Sequence, residues 1–381
     1  MPDRRMPAPL RLLARDPAKP YTRALHAAVF GRRFGRRSRN RLLILFEPHR
    51  ISYASVYPFL QFADGFARRF DAQIRLCTTQ RALEDGLPAH LAGATHVLAQ
   101  SWLTDPVERH QRLAALLAAL PAGCRTAFLD SSANADIRLA AIFRDVDLYF
   151  KKSLFADRAA HLRETYGDTN LTEYYGRLLG IPQTPSARGV PADILPKLRV
   201  APNFLTAPYL AQGFLARAEP PRGARPIDLH ARLGGTEADG WYGAMRRMAA
   251  GAAEAAGGTG LRLAAGSGIR RDAFMAELAA SKMCFSPFGY GELCWRDMEA
   301  ILAGAVLLKP DMSHLDTCPD LYRDGQTYVA LKWDFSDLAE KAAMLMQDPE
   351  RCETIARTAY AAAHDYLRRG GPVEAFAPLF A

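Results

Sequence analysis

Twice along this chain, short apolar runs alternate with longer segments of helical spacing, the order that builds parallel sheets with helices on both faces. In the first stretch Leu42-Leu43-Ile44-Leu45-Phe46 is continuously apolar and ends in Glu47-Pro48-His49, which reads as a buried strand. Further strands are expected over 73–77, 96–100, 125–129 and 147–150. The spacing predicts one helix over 55–70, with Phe59, Phe62 and Phe66 along one stripe and Pro58 in its first turn. Another is predicted over 106–120, with Asp105 placed to cap it. Nine prolines then crowd residues 182–226, and such density disfavours regular elements, so the domain junction is placed there. In the second stretch strands are predicted over 227–232, 261–265, 283–286, 305–308 and 328–331. Helices are predicted over 241–256, 271–280 and 292–303, and from Asp334 or Ser336 through Met346. The fold class is α/β, with two doubly wound domains at 42–205 and 206–365 facing a cleft. Residues 366–381 form a tail expected to pack back on the N-terminal domain.

With 381 residues, 49% apolar and 23% charged, the chain has enough material for two cores, which excludes disordered, collagen-like and disulfide-framed classes. The net charge of +9 is unevenly spread. Residues 1–41 hold twelve basic and two acidic residues, a net +10, so the rest of the chain sums to −1. Six cysteines stand without a Cys-x-x-Cys pair and read as reduced, packed thiols, neither a zinc site nor a disulfide frame. The longest apolar runs fall short of the roughly 18–20 residues a membrane span needs. No secretory signal is expected either.

The stretch 281–338 is the richest in chemistry. At its centre Phe285-Ser286-Pro287-Phe288-Gly289-Tyr290-Gly291-Glu292 reads as a strand ending in a Gly/Pro turn that feeds straight into a helix. Free backbone N–H groups and the helix dipole then converge on one spot, which suits an anion such as a diphosphate. Arg296 falls about one turn into that helix and can approach the same anion. Glu299 lies seven positions after Glu292, close to two turns, so both carboxylates are expected on nearly the same face. A carboxylate beside such a helix terminus suits a nucleotide ribose.

The run Glu299-Ala300-Ile301-Leu302-Ala303-Gly304-Ala305-Val306-Leu307-Leu308 resembles the Glu-Ala-x-x-x-Gly signature of nucleotide-sugar glycosyltransferases with two Rossmann-like domains, the GT-B architecture. Phe-Gly-Tyr-Gly-Glu at 288–292, the Lys309-Pro310-Asp311 turn, Tyr322-Arg323-Asp324-Gly325 and Trp333-Asp334-Phe335-Ser336-Asp337-Leu338 are similar to bacterial group 1 and exostosin-like members. The resemblance covers about residues 225–365. It implies transfer of a sugar, of the hexosyl type, from a nucleoside-diphosphate donor held by the C-terminal domain to a hydroxyl of a glycan or lipid-linked acceptor. Envelope polysaccharide or glycolipid synthesis would supply such acceptors. Glu299 would bind the ribose, while Gly289, Tyr290, Gly291 and Glu292 would face the diphosphate and sugar. Related retaining enzymes usually place their two glutamates eight positions apart, so the interval of seven leaves inversion and retention both open.

In this architecture positive side chains often stabilise the departing diphosphate. Arg270 and Arg271 after Gly266-Ser267-Gly268, Arg296 and Lys309 are the candidates, with Arg246 and Arg247 weaker ones. Asp145-Val146-Asp147 precedes an apolar strand and reads as a solvated corner, so no metal and no cofactor beyond the donor substrate is expected. The acceptor's base should come from the N-terminal domain. Glu47, His49 and Asp130 at strand ends are the candidates there, and Lys151 with Lys152 could bind an anionic acceptor. Trp295, Met298 and Trp333 read as packing residues and His314 as a surface or capping histidine. Arginines mixed with Leu10, Leu12, Leu13, Leu25, Val29, Phe30 and Phe34 make residues 1–41 compatible with an anionic membrane surface, placing the protein in the cytoplasm or on the inner face of the cell membrane. Nucleic acid is disfavoured as partner because no basic surface continues into the body. A two-Rossmann sugar-nucleotide epimerase and a non-catalytic nucleotide-sugar or nucleic-acid binding protein are the alternative readings.

Overall fold

The computed structural model describes residues 28–35, 38–186 and 190–381, and the membrane reading of the arm lies for the most part outside them. In strand β1 (Asn40–Phe46) alternate residues point to opposite faces. Leu42, Ile44 and Phe46 join one apolar cluster while Leu43 and Leu45 join another. A strand covered on both faces must be apolar throughout, which is why this run does not alternate. Next come β2 (Ala72–Thr78), β3 (His96–Ala99), β4 (Arg125–Asp130) and β5 (Leu148–Lys151). The short β6 (Ser153–Phe155), the pair β7 (Thr165–Tyr166) and β8 (Pro185–Ser186), and β9 (Leu198–Val200) follow. Six of these form a sheet in the order β2-β1-β3-β4-β5-β9, every pair parallel.

The second domain contributes β10 (Ile227–Arg232), β11 (Leu263–Gly266), β12 (Ser281–Phe285), β13 (Val306–Pro310), β14 (Leu315–Thr317) and β15 (Val329–Leu331). Its parallel sheet runs β11-β10-β12-β13-β15. The chain is therefore built of two Rossmann-like domains, as the patterning predicts. No helix among the described residues is long and apolar enough to cross a membrane.

Prolines enter two of the differences from the sequence reading. The helix expected over 55–70 is two helices, α1 (Arg50–Gln61) and α2 (Ala63–Phe70), and Pro58 lies inside the first. A proline has no N–H for the carbonyl four residues back. That carbonyl, on Ala54, instead accepts a 3.1 Å hydrogen bond from Thr206 Oγ1, so the break is repaired from the interdomain crossover. Within the proline-rich stretch the chain still adds β9 to the first sheet and forms a helix over Pro208–Leu215, with Pro208 in the first turn where no N–H is needed.

The arm also ends earlier than residue 41. Phe30 is buried in the first cluster, Gly35 N donates to Gln73 Oε1 at 2.5 Å, and Arg75 Nη2 donates to the Arg33 carbonyl at 3.0 Å. Residues 28–35 thus pack on the N-terminal domain.

Three features join the domains. Strand β14 pairs antiparallel with β6, Leu315 opposite Phe155 and Thr317 opposite Ser153. A long helix, Pro349–Arg368, leads to a left-handed Gly370 that redirects the last residues. The third is Phe376, fully buried with its ring 4.3 Å from that of Phe59 and 5.1 Å from that of Phe150. Phe376→Ala is expected to cost about 3–5 kcal/mol of stability by cavity formation. Urea unfolding monitors it, and a loss below about 1 kcal/mol would show that the tail does not hold the domains.

Candidate functional site

The ends of β10 and β12 define the site. After β10 the chain turns through Gly234 and Gly235; Gly235 has φ +86° and lies close to Tyr242, whose ring a side chain would meet at 2.8 Å. Helix α3 (Gly240–Gly257) then carries Arg246 back to this turn. Its Nε donates to the Gly234 carbonyl at 2.8 Å and its Nη1 to the Phe288 carbonyl at 3.2 Å. Arg296 comes from the other side and donates from Nη2 to the Arg232 carbonyl at 2.6 Å, while its Nε is buried with no hydrogen-bond partner.

Among the described residues neither guanidinium forms an ion pair with a carboxylate; their partners are main-chain carbonyls. Burial and then the charge of Arg296 push the Arg246 guanidinium below its ordinary value. Burial and Arg296 likewise push the His230 imidazole down to about 4, so it stays neutral near pH 7. Two guanidiniums without a carboxylate partner among the described residues, beside a glycine turn, are an arrangement suited to an anion.

The helix expected from Glu292 starts three residues later, as α4 (Trp295–Ala303). Asp297 governs that start. Fully buried, it accepts from Cys294 N at 3.0 Å, Ser286 Oγ at 2.6 Å and Tyr322 Oη at 2.8 Å. Its fourth neighbour is Lys309 Nζ at 3.2 Å. Lys309 is therefore inside the domain, neutralised by Asp297, and does not face the cleft as a phosphate ligand.

Because Glu292 precedes the helix, it does not share a helical face with Glu299. Glu292 points across the seam: Oε2 accepts from Ala135 N at 2.9 Å and Oε1 from Asn170 Nδ2 at 3.3 Å. His314 Nε2 lies 3.9 Å from Oε1, within ion-pair range and beyond hydrogen-bond reach. Burial alone would raise this carboxyl, but His314 and the Ala135 N–H outweigh it and hold it below the usual carboxylate range. Gly291 permits the approach, since a Cβ there would run into the backbone of Ala133 and Asn134. Gly289 N closes the turn on the Gly291 carbonyl at 3.0 Å, and Tyr290 projects into solvent.

Glu299 is nearly buried, accepts from Tyr209 Oη at 2.7 Å and forms an ion pair with Arg271 Nη2 at 3.0 Å. Arg271 also covers the Tyr209 ring at 4.3 Å, and Tyr209 stacks on Trp295 at 5.8 Å. Burial and then the Glu299 charge push the Tyr209 phenol up. Arg50, from the start of α1, reaches over Trp295 at 5.2 Å and brings the N-terminal domain to this edge. Arg270, by contrast, is exposed and paired with Asp272, so it is a surface residue rather than part of the site.

The N-terminal candidates differ in freedom. Asp130 is buried and accepts from Lys151 Nζ at 3.1 Å, Tyr149 Oη at 2.8 Å and Ser132 N at 2.9 Å. Burial opposes its charge, but Lys151 and these donors prevail and lower its carboxyl. It is a structural anion with no capacity left for a base. Lys152 is also fully buried, donates to the Ser131 carbonyl and lies 5.0 Å from the Phe204 ring centre. Burial and then Lys151 push its ammonium down to about 7. Neither lysine is placed for an anionic acceptor.

Glu47 is tied to Arg109 at 2.7 Å, although burial still raises its carboxyl. His49 is exposed, caps α1 by accepting from Ile51 N, and rests on Trp102 at 4.1 Å. The structure thus assembles Arg246, Arg296, Arg271 and Glu299 with the 289–292 loop, and sets Lys309, Arg270 and Asp130 aside. Arg246 and His314 were undervalued in the sequence. The legible signal for Arg246 was Gly234-Gly235 directly after a strand and ahead of its helix; no local signal marks His314, whose partner Glu292 comes from a different loop.

No protein-family model and no curated protein matches the chain. Among solved structures it is similar to an alpha-glucosyltransferase in complex with UDP, with 10% identity and a TM-score of 0.47 over 86% of this chain and 95% of that one. An alpha-glucosyltransferase in complex with UDP and a 13-mer DNA containing a central A:G mismatch gives 10%, 0.46, 86% and 95% in the same order. Anabaena Alr3699/HepE in complex with UDP-glucose gives 10%, 0.47, 89% and 99%.

The burial of Lys309 yields a direct expectation. Lys309→Met strands Asp297 without its countercharge and should cost about 3–5 kcal/mol in urea unfolding. A loss of nucleotide affinity with stability intact would instead return Lys309 to the cleft.

Proposed function

We propose that this protein is a glycosyltransferase that moves a sugar from a nucleoside-diphosphate sugar to an acceptor hydroxyl. The observation that carries the reading is the pair Arg246 and Arg296, two guanidiniums with no carboxylate ion pair among the described residues, converging on a glycine turn at the carboxyl ends of a parallel sheet. Ligands of such sheets bind at that edge. The diphosphate would lie between the two arginines, and the ribose hydroxyls would donate to Glu299, whose charge is fixed in place by Arg271 and Tyr209.

In the reaction the acceptor oxygen attacks the anomeric carbon, the bond from that carbon to the diphosphate oxygen breaks, and the diphosphate leaves with the electron pair. The guanidiniums meet the charge as it develops on the leaving group, the arrangement in which a fixed donor contributes about 10²–10³ in rate. The acceptor's proton goes to a base from the N-terminal domain. We assign that role to His49 from its place at the start of α1, beside the seam. A glycan or lipid-linked acceptor of envelope polysaccharide or glycolipid synthesis, a hexosyl donor and attachment to the inner face of the membrane complete the proposal.

Donor binding is tested by thermal-shift screening against UDP-, GDP-, CMP- and dTDP-sugars, followed by calorimetry on the best of them. Arg246→Met, Arg296→Met and Glu299→Ala are each expected to weaken the donor at least tenfold, about 1.4 kcal/mol. Unaltered affinity in all three would refute the site.

The membrane role is tested by deleting residues 1–27, a cut that spares the packed residues 28–35. Sedimentation with anionic vesicles should fall while hydrolysis of the sugar nucleotide persists. Unchanged vesicle binding would remove the membrane role, and a salt-sensitive mobility shift of nucleic acid lost with the same deletion would replace it.

A further inference from the structure

Tyr290 is the one exposed phenylalanine, tyrosine or tryptophan among the described residues, 68% accessible at the tip of a loop held between two glycines. It does not stand alone. Its ring stacks on Tyr242 with centroids 4.0 Å apart and planes at 19°, and Trp241 stands edge-on to both, at 5.9 Å from Tyr242 and 6.4 Å from Tyr290. Tyr242 is supported in turn by the backbone of Gly235 and lies 6.0 Å from the Arg246 guanidinium. Trp241 stacks parallel to the buried Tyr175 of the N-terminal domain at 6.0 Å and 8°. A flat aromatic face is thus held open to solvent, fixed from below, beside the arginine pair and on the seam between the domains.

We propose that Tyr290 and Tyr242 form a stacking platform for a sugar ring of the acceptor, which makes the acceptor a carbohydrate chain. This rests on the glycosyltransferase reading above and deepens it. The position separates acceptor from donor nucleoside. The platform's neighbours are Trp241 and the Arg246 guanidinium, whereas those of Glu299 are Tyr209 and Arg271, so the platform sits at the arginine end of the site and shares no contact with the ribose end.

The chemistry also fits a sugar ring. The apolar C–H face of a pyranose packs on an aromatic ring, while the tyrosine hydroxyls at the platform edge offer hydrogen bonds to ring hydroxyls. One face of Tyr290 is spent on Tyr242 and the other is free.

Saturation-transfer NMR of the full-length protein, with UDP present and free gluco- and chito-oligosaccharides as probes, tests the proposal. Saturation should reach the sugar C–H protons in the wild type, fall at least fivefold in Tyr290→Ala, and return in Tyr290→Phe and Tyr290→Trp, which keep the ring. In turnover assays with any acceptor found active, Tyr290→Ala should raise the acceptor KM about tenfold and the donor KM much less.

A larger effect on UDP affinity by calorimetry than on oligosaccharide binding would make the platform a nucleobase site and overturn the inference. So would equal saturation in the wild type and Tyr290→Ala. Failure of the underlying reading looks different: the wild type would then bind no sugar nucleotide, whatever Tyr290→Ala does to oligosaccharides.

Discussion

The structure depends on how closely the main chain of one domain comes to that of the other. Gly291 lies against the backbone of Ala133 and Asn134 where no side chain fits, and this lets Glu292 bury its carboxylate on the Ala135 N–H. A buried carboxylate without donors would cost several kcal/mol, so the N-terminal loop that supplies them and the loop that carries Glu292 stabilise each other only when the seam is shut. The β6–β14 ladder next to it and the buried tail at Phe376 hold the same closure from other directions. That closure brings the start of α1 next to α4 and puts Tyr175 beneath Trp241.

Charge within the closed structure sorts into two kinds. Asp130 with Lys151, and Asp297 with Lys309, are buried pairs whose members are satisfied by each other and by neighbouring donors, and they hold strand ends and helix starts in place. Arg246 and Arg296 are different, because their partners are neutral carbonyls and neither forms an ion pair with a carboxylate among the described residues. Desolvated positive charge without an anion is unfavourable, and a diphosphate is the kind of group that relieves it. The functional reading rests on that contrast between paired and unpaired charge.

Much of the fold was legible because burial on two faces leaves a plain mark. The run at 42–46, the strands at 96–99 and 125–130, and the strands of the second sheet all fall where apolar runs sit between helical segments. The errors trace to partners that are distant in the chain. Pro58 sits inside a helix because Thr206, 148 residues later, takes the carbonyl that the proline leaves free. β6 and β14 have three residues each and exist as strands through each other, so neither carries its own signal. The helix predicted from Glu292 begins at Trp295 because Asp297, with partners at Ser286, Tyr322 and Lys309, sets its first turn.

The sequence by itself determined two parallel α/β sheets, the glycine loop with Glu299 behind it, and the concentration of charge in residues 1–41, because periodicity and composition are local properties. Only the tertiary structure decided which charged residues are free to act. Lys309, Asp130 and Lys151 look like candidates in one dimension and are consumed by partners in three, whereas Arg246, an ordinary helix residue by its sequence, meets only main-chain carbonyls at the glycine turn and no carboxylate ion pair among the described residues. A residue's type gives its chemistry, but its availability depends on which distant groups the fold places within about 4 Å of it, the range in which ion pairs form.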